Sequence, residues 1–215
     1  MSSTAITEAG PRMRAGGKET EIKLAVPDLA AVRRHLRGQG FRVRRRRTFE
    51  DNVLYDTRQG MLRRSGLMLR LRSAGGRHWL TFKGPGEESR RYKIRQEFES
   101  ELTRPGAVRG VLTRLGLQPS FRYQKYRTVY RAPGAGQGGE AMLDETPIGN
   151  FLELEGGRGW IRRVARALGS KPTQFIVRTY ADLQAEWRRP RARPLGSPRA
   201  RQRPRDMVFP RTRRR

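Results

Sequence analysis

A chain of 215 residues with 48 Lys and Arg against 20 Asp and Glu carries a formal net charge of +28, which makes an anionic partner the natural expectation. The absence of Cys excludes disulfides, thiolate nucleophiles and Cys-ligated zinc, leaving oxygen donors and two His, His35 and His78, for any metal. No apolar run approaches the roughly 20 residues that span a bilayer, residues 1–17 lack the hydrophobic segment of a secretory signal, and 35% hydrophobic content suits one core, so the chain reads as a soluble, cytoplasmic single domain with tails.

Residues 1–16, rich in Gly, Ser and Thr, read as a flexible lead-in to a folded part over 17–187. Glu19-Thr20-Glu21-Ile22-Lys23-Leu24 alternates charged and apolar residues, the pattern of a strand with one ionic and one greasy face. Pro27 and Asp28 open a helix with Leu29, Val32 and Leu36 on its apolar side, stopped by Gly38 and Gly40. Strands follow around 52–55, 67–72, 79–83 and 93–102, parted by turns such as Ala74-Gly75-Gly76 and Gly84-Pro85-Gly86. A second helix carries Val108, Val111, Leu112 and Leu115 and closes at Gly116. Further strands are expected at 123–131, 141–145 and 151–155, then a helix with Ile161, Val164, Ala165 and Leu168 on its apolar side and a short terminal helix over 180–187. Residues 188–215 hold twelve Arg, five Pro and one acid, Asp206, and read as a disordered basic tail of charge +11. Subtracting that tail and the +1 of the first sixteen residues leaves +16 on the folded part, so the domain is basic in its own right. The tail reads either as a solubilising extension or as a non-specific contact for RNA, DNA or polyphosphate.

Period two places Glu19, Glu21 and Lys23 on one face, as it does Arg70 with Arg72, Thr81 with Lys83, Arg95 with Glu97, Glu99 and Glu101, Lys125 with Arg127 and Arg131, Met142 with Asp144, and Glu153 with Glu155. The opposite faces carry Ile22, Leu69, Leu80, Phe98, Tyr126, Leu143 and Leu152. A single strand of this kind needs nothing more than a solvated sheet. Repetition on strand after strand points to a sheet curled so that its ionic faces look at one another while helices cover the apolar ones. Lys23, Arg70, Arg72, Lys83, Lys125 and Arg127 then offer cations to phosphate oxygens, Arg with planar bidentate donors. The acidic pairs Glu19/Glu21, Glu97/Glu99 and Glu153/Glu155 would repel each other and a phosphate chain unless a divalent cation lay between them, and all-oxygen ligands favour Mg²⁺ or Mn²⁺.

Glu-Thr-Glu-Ile-Lys at 19–23 resembles the ExExK motif that opens CYTH domains, the triphosphate tunnel metalloenzymes. The resemblance runs on through Leu69-Arg70-Leu71-Arg72, Leu80-Thr81-Phe82-Lys83-Gly84, Glu97-Phe98-Glu99, Lys125-Tyr126-Arg127, Leu143-Asp144-Glu145 and Phe151-Leu152-Glu153-Leu154-Glu155 to Arg178-Thr179-Tyr180-Ala181-Asp182-Leu183. It implies an α+β fold, an eight-stranded antiparallel β-barrel flanked by helices, acting on triphosphates with Mg²⁺ or Mn²⁺. Carried onto this sequence, it implies metal ligands at Glu19, Glu21, Glu97, Glu99, Asp144, Glu153 and Glu155. The triphosphate would be gripped by Lys23, Arg70, Arg72, Lys83, Lys125 and Arg127, with Glu21, Lys23, Lys125 and Glu155 as catalytic groups.

The family includes inorganic and thiamine triphosphatases, RNA 5′-triphosphatases and class IV adenylate cyclases. Hydrolysis of inorganic triphosphate or a related organic triphosphate needs only tunnel, metal and water, whereas cyclisation of ATP also needs an adenine pocket, for which no motif is visible. The runner-up is therefore the cyclase, and a third reading is a non-enzymatic polyphosphate or RNA binding module. Expected partners are a triphosphate-containing small molecule and, through 188–215, a non-specific polyanion, in a monomer or homodimer. His35 and His78 show no ligand spacing, and Trp79, Trp160 and Trp187 read as core or interface packing rather than base platforms.

Overall fold

The structure, a computed structural model, describes residues 14–87, 89, 91–132, 139–188 and 206–210. Eight strands, β1 (Arg14–Ala25), β2 (Arg42–Asp56), β3 (Met68–Ala74), β4 (Arg77–Lys83), β5 (Lys93–Leu102), β6 (Gln118–Arg131), β7 (Glu140–Thr146) and β8 (Gly149–Glu155), close into an antiparallel barrel in the order β1-β5-β4-β3-β2-β6-β7-β8. Period-two burial explains the closure. Ile22, Leu24, Leu143, Leu152 and Leu154 point outward into a core built with Leu36 of α1 (Leu29–Gly38) and with Trp160, Ile161, Val164 and Ala165 of α4 (Arg158–Ala167). A smaller cluster of Tyr55, Leu71 and Leu112 lies under α3 (Pro105–Arg114). The hydrophobic core is thus outside the barrel wall, and most of what faces the lumen is ionic.

Local chemistry fixes the connections. Asp28 caps α1, its carboxylate accepting the N–H groups of Ala30 and Ala31 at 2.8 and 3.0 Å. Buried Asp56 accepts the N–H groups of Leu62 and Arg63, holding the single-turn α2 (Met61–Arg64), which hydrophobic periodicity did not reveal. Strand β2 is far longer than the expected 52–55, because register shifts between Val43 and Arg45 and between Arg45 and Thr48 break the alternation that would have advertised it. β6 likewise begins at Gln118 rather than 123.

At one end of the lumen the charges give way to Tyr123, Phe151, Tyr180, Leu183 and Met207, contributed by β6, β8, α5 (Tyr180–Arg188) and residues 206–210. The last of these corrects the expectation that the whole of 188–215 is disordered. Met207 is 1% exposed, its N–H donates to Arg122 O and its carbonyl accepts from Gln124 N–H, while Asp206 accepts from Arg122 N–H. The physical reason is the apolar Met207-Val208-Phe209 run, which buries Met207 against Tyr123 and packs Phe209 at a tilt on Tyr126, 5.3 Å between centroids. Residues 1–13, 189–205 and 211–215, the remainder of the expected tails, lie outside the described residues, and β1 begins at Arg14 rather than 17. Met207→Ala is expected to lower the unfolding free energy by about 2–5 kcal/mol, the range for emptying a buried Met site, with urea titration as the measure. An unchanged midpoint would mean that 206–210 does not dock.

Candidate active site

The lumen is a cavity of about 770 Å³. Into it project Glu19, Glu21 and Lys23 from β1, Arg70 and Arg72 from β3, Lys83 from β4, Glu97 and Glu99 from β5, Lys125 and Arg127 from β6, and Glu153 and Glu155 from β8, every one of them anticipated from the alternation. Asp144 of β7 is wholly buried behind them. Arg131, an expected lumen member, is instead exposed and pairs with Glu140 at 3.7 Å, and Glu101 lines the cavity only at its rim, paired with exposed Arg77. Both lie at strand ends, where the barrel opens to water.

The charges fall into two groups. Toward the aromatic end, cations and carboxylates satisfy one another. Arg127 grips Asp144 through two bonds of 2.6 Å and also pairs with Glu153; Lys125 meets Asp144 at 2.9 Å, and Lys23 meets Glu153 at 3.2 Å and Glu21 at 3.1 Å. Arg72 donates to Glu99 at 2.9 Å, and Arg70 to Thr81 and to the Tyr123 hydroxyl at 3.2 Å each. Tyr180 donates to Asp144 at 2.6 Å, and burial followed by that carboxylate pushes its phenol well up, so it stays a donor. The Thr179/Asp182 reciprocal cap at the start of α5 fixes where Tyr180 points.

The second group has carboxylates to spare. Lys83 is shared by Glu19 and Glu97, Glu21 takes Lys93 at 2.6 Å, and no described Lys or Arg forms an ion pair with Glu155. Burial, then the Glu21 charge, pushes Glu19 up to about 9, while Glu97, bonded to Glu19 and to Lys83, falls to about 2 despite its own burial: the two hold one proton between them. Burial raises Glu155 as well, and beside it Glu21, although buried, is held well down by the Lys23, Lys93 and Lys83 ammoniums. Among the described residues no three acidic or His side chains already form a cage, yet an excess of oxygen donors sharing a proton is what a hard divalent cation would relieve. The donor chemistry of Glu19, Glu21, Glu97 and Glu155 therefore fits Mg²⁺ or Mn²⁺.

Alternation alone missed several lumen groups. Lys93 shares the register of Glu97 and was legible; burial, with Lys23 and Lys83 nearby, lowers its ammonium to about 8 against the pull of Glu21. Glu50 and Asn52, both wholly buried on β2, were hidden because Asp51 between them is also polar and breaks the alternation. Trp79 is no core residue: it lines the cavity, with the Arg72 guanidinium 4.3 Å from its ring centroid. Both amide atoms of Asn52 and the Nε atoms of Arg70 and Arg72 are buried without a hydrogen-bond partner.

In chelator, stability is expected to fall as pH rises from about 5 to 8. Glu19 is raised in the fold, so its contribution is complete below its ordinary 4.5 and is lost as pH climbs toward 9. Depressed Lys93 contributes with the opposite sign above about 8, which sets the upper limit of the window. Thermal unfolding across that range in EDTA and in excess Mn²⁺ checks this: a steep profile should flatten with metal, and a profile already flat in EDTA would refute the shared-proton reading.

The CYTH domain family model matches residues 17–180. A Methanocaldococcus jannaschii protein whose name assigns it provisionally to the adenylate cyclases is 28% identical over 138 residues, 64% of this chain and 75% of that protein. A Vibrio parahaemolyticus structure described in the same provisional way has a TM-score of 0.65 at 21% identity, covering 80% of this chain and 99% of that one. A Hippeastrum protein, described as a provisional adenylyl cyclase with a dominant triphosphatase activity, has a TM-score of 0.57 at 18% identity over 78% of this chain and 96% of its own.

Proposed function

The chain belongs to the CYTH domain family, and from that premise we propose that it is a metal-dependent triphosphatase, hydrolysing inorganic triphosphate or a related organic triphosphate inside its barrel. The observation that carries this reading is the convergence of Lys23, Arg70, Arg72, Lys83, Lys125 and Arg127 from four different strands on one enclosed lumen that also holds unneutralised carboxylates. An anion-binding module gains nothing from Glu19, Glu97 and Glu155 facing its ligand, whereas a hydrolase uses them.

Arg70, Arg72, Arg127 and Lys125, all lining the cavity, bind phosphate oxygens in a site with little water to compete. The Asp144, Glu153 and Glu99 carboxylates hold these cations in position before substrate arrives, so little reorganisation accompanies the build-up of charge on the leaving phosphate. Glu19, Glu21, Glu97 and Glu155 would hold Mg²⁺ or Mn²⁺, which when bound neutralises triphosphate charge and lowers the pKa of coordinated water. Glu155, free of ion pairs among the described residues and raised by burial, accepts the proton of the attacking water as the terminal P–O bond breaks, yielding orthophosphate and pyrophosphate from inorganic triphosphate.

A second reading, cyclisation of ATP, draws on the cavity itself. Leu54, Met68, Val129 and Met142 line it beside Trp79, and its 770 Å³ is larger than a bare triphosphate chain needs. Incubation with tripolyphosphate, ATP and thiamine triphosphate under Mg²⁺ and then Mn²⁺ separates the readings. Orthophosphate release supports hydrolysis, cyclic AMP with pyrophosphate supports cyclisation, and tight chelator-resistant binding with no turnover supports the binding module.

A further inference from the structure

On the outer wall of the barrel, away from the lumen, α1 and β2 flank a shallow groove of about 460 Å³. Its sides are Arg33 and Arg37 of α1 and Arg46 and Arg47 of β2, and no carboxylate lines it among the described residues. Its floor is Val43, 45% exposed, with Thr128 and Tyr130 of β6. Glu145 lies to one side and fixes two of the arginines, accepting from Arg33 at 3.1 Å and from Arg47 at 3.0 Å, while Arg37 and Arg46 are exposed with no ion pair among the described residues. The Arg47 guanidinium lies 3.5 Å from the centroid of Tyr126, and from there an aromatic row continues along the outer wall. Tyr126 packs on Phe49 and on Phe209 at 5.3 Å each, and Phe49 is 39% exposed.

We propose that this outer groove and its aromatic row bind single-stranded nucleic acid, the arginines following the phosphates and Phe49, backed by Tyr126, receiving a base. Glu145 offsets charge on Arg33 and Arg47 only, so Arg37 and Arg46 leave the groove with an excess of positive charge beside its floor, which favours an anionic occupant. The aromatic faces decide among anions. Sequence-tolerant binding of single strands combines a basic track with stacking platforms, whereas an acidic peptide or an inorganic polyphosphate would use the arginines and leave the rings idle. The groove is independent of the chemistry in the lumen, and none of the residues named for it belongs to 188–205.

The test uses the full chain and a fluorescent 5′-hydroxyl oligouridine, which carries no triphosphate for the lumen to grip, followed by anisotropy between 50 and 200 mM salt. Arg37→Ala/Arg46→Ala should weaken binding and lower the slope of log affinity against log salt by about 1.4, at about 0.7 for each single-strand phosphate no longer neutralised. Phe49→Ala should weaken oligouridine about tenfold, the lower part of the range for removing a stacking platform, with the salt slope and the binding of inorganic polyphosphate unchanged. Thermal unfolding like that of the parent verifies that each variant is folded, and Arg46→Glu supplies a second charge variant should the double one be impaired. Affinity and slope equal to the parent in both arginine variants would overturn the proposal by leaving all binding to the tail. Equal losses for polyphosphate and oligouridine in Phe49→Ala, or polyglutamate competing as well as oligouridine at matched charge, would overturn it in favour of a general anion patch.

Discussion

Glu155→Ala is expected to lower metal-dependent triphosphate turnover by at least about a hundredfold, since even groups one shell removed from a metal cost 10–100-fold when lost, while leaving the barrel at least as stable as the parent. The two halves of this expectation have one cause. Burial and the neighbouring carboxylates raise Glu155, and no described cation depends on it for an ion pair, so its removal strands no charge. A folded protein with unchanged metal-dependent turnover would remove Glu155 from the reaction, and a large loss of stability would mean that the carboxylate has a structural partner. Excess Mn²⁺ should raise the Tm of the parent more than that of the variant, a readout that does not depend on turnover.

Arg127→Ala should behave in the opposite way, losing stability and activity together. Its guanidinium holds Asp144 by two bonds and also pairs with Glu153, all three side chains being buried. Removing it leaves Asp144 to Lys125 and Tyr180, and Glu153 to Lys23, and breaking a buried pair from one side typically costs about 3–5 kcal/mol. Turnover of the remaining folded protein should fall by roughly 10²–10³, the cost of deleting a preorganised donor to developing charge. Arg127→Lys separates the effects: it restores a cation but not the planar fork, so it should recover more stability than turnover. Equal recovery of both in denaturant titration and product assay would show that charge alone matters at this position.

The two variants differ because lumen charges at different depths have different surroundings, and that difference was only partly legible in the sequence. Alternation identified Glu21, Lys23, Arg70, Arg72, Lys125, Arg127, Glu153 and Glu155 as sharing faces, since a strand sends every second side chain the same way. It failed on β2, where Asp51 makes Glu50 and Asn52 part of an unbroken polar run, and on Trp79, whose indole looks like a core residue until the neighbouring strands place it over the cavity. It failed again on 206–210, where five residues amid an Arg-rich composition carry the run that anchors the chain beside Tyr180. Composition averages over a window; docking depends on one Met and one Phe meeting the right surface.

By itself the sequence determined which residues share a face and that the charged faces greatly outnumber what one solvated sheet would need, because side-chain direction in a strand is a property of the local backbone. Which charges meet was decided only by the closed barrel. Lys23 finds Glu153, and Lys83 finds both Glu19 and Glu97, through the order in which distant strands are hydrogen-bonded, and Coulomb energy depends on those separations rather than on position along the chain. For the same reason only the tertiary structure distinguishes carboxylates that hold a cation in place from those left with a proton to exchange for a metal.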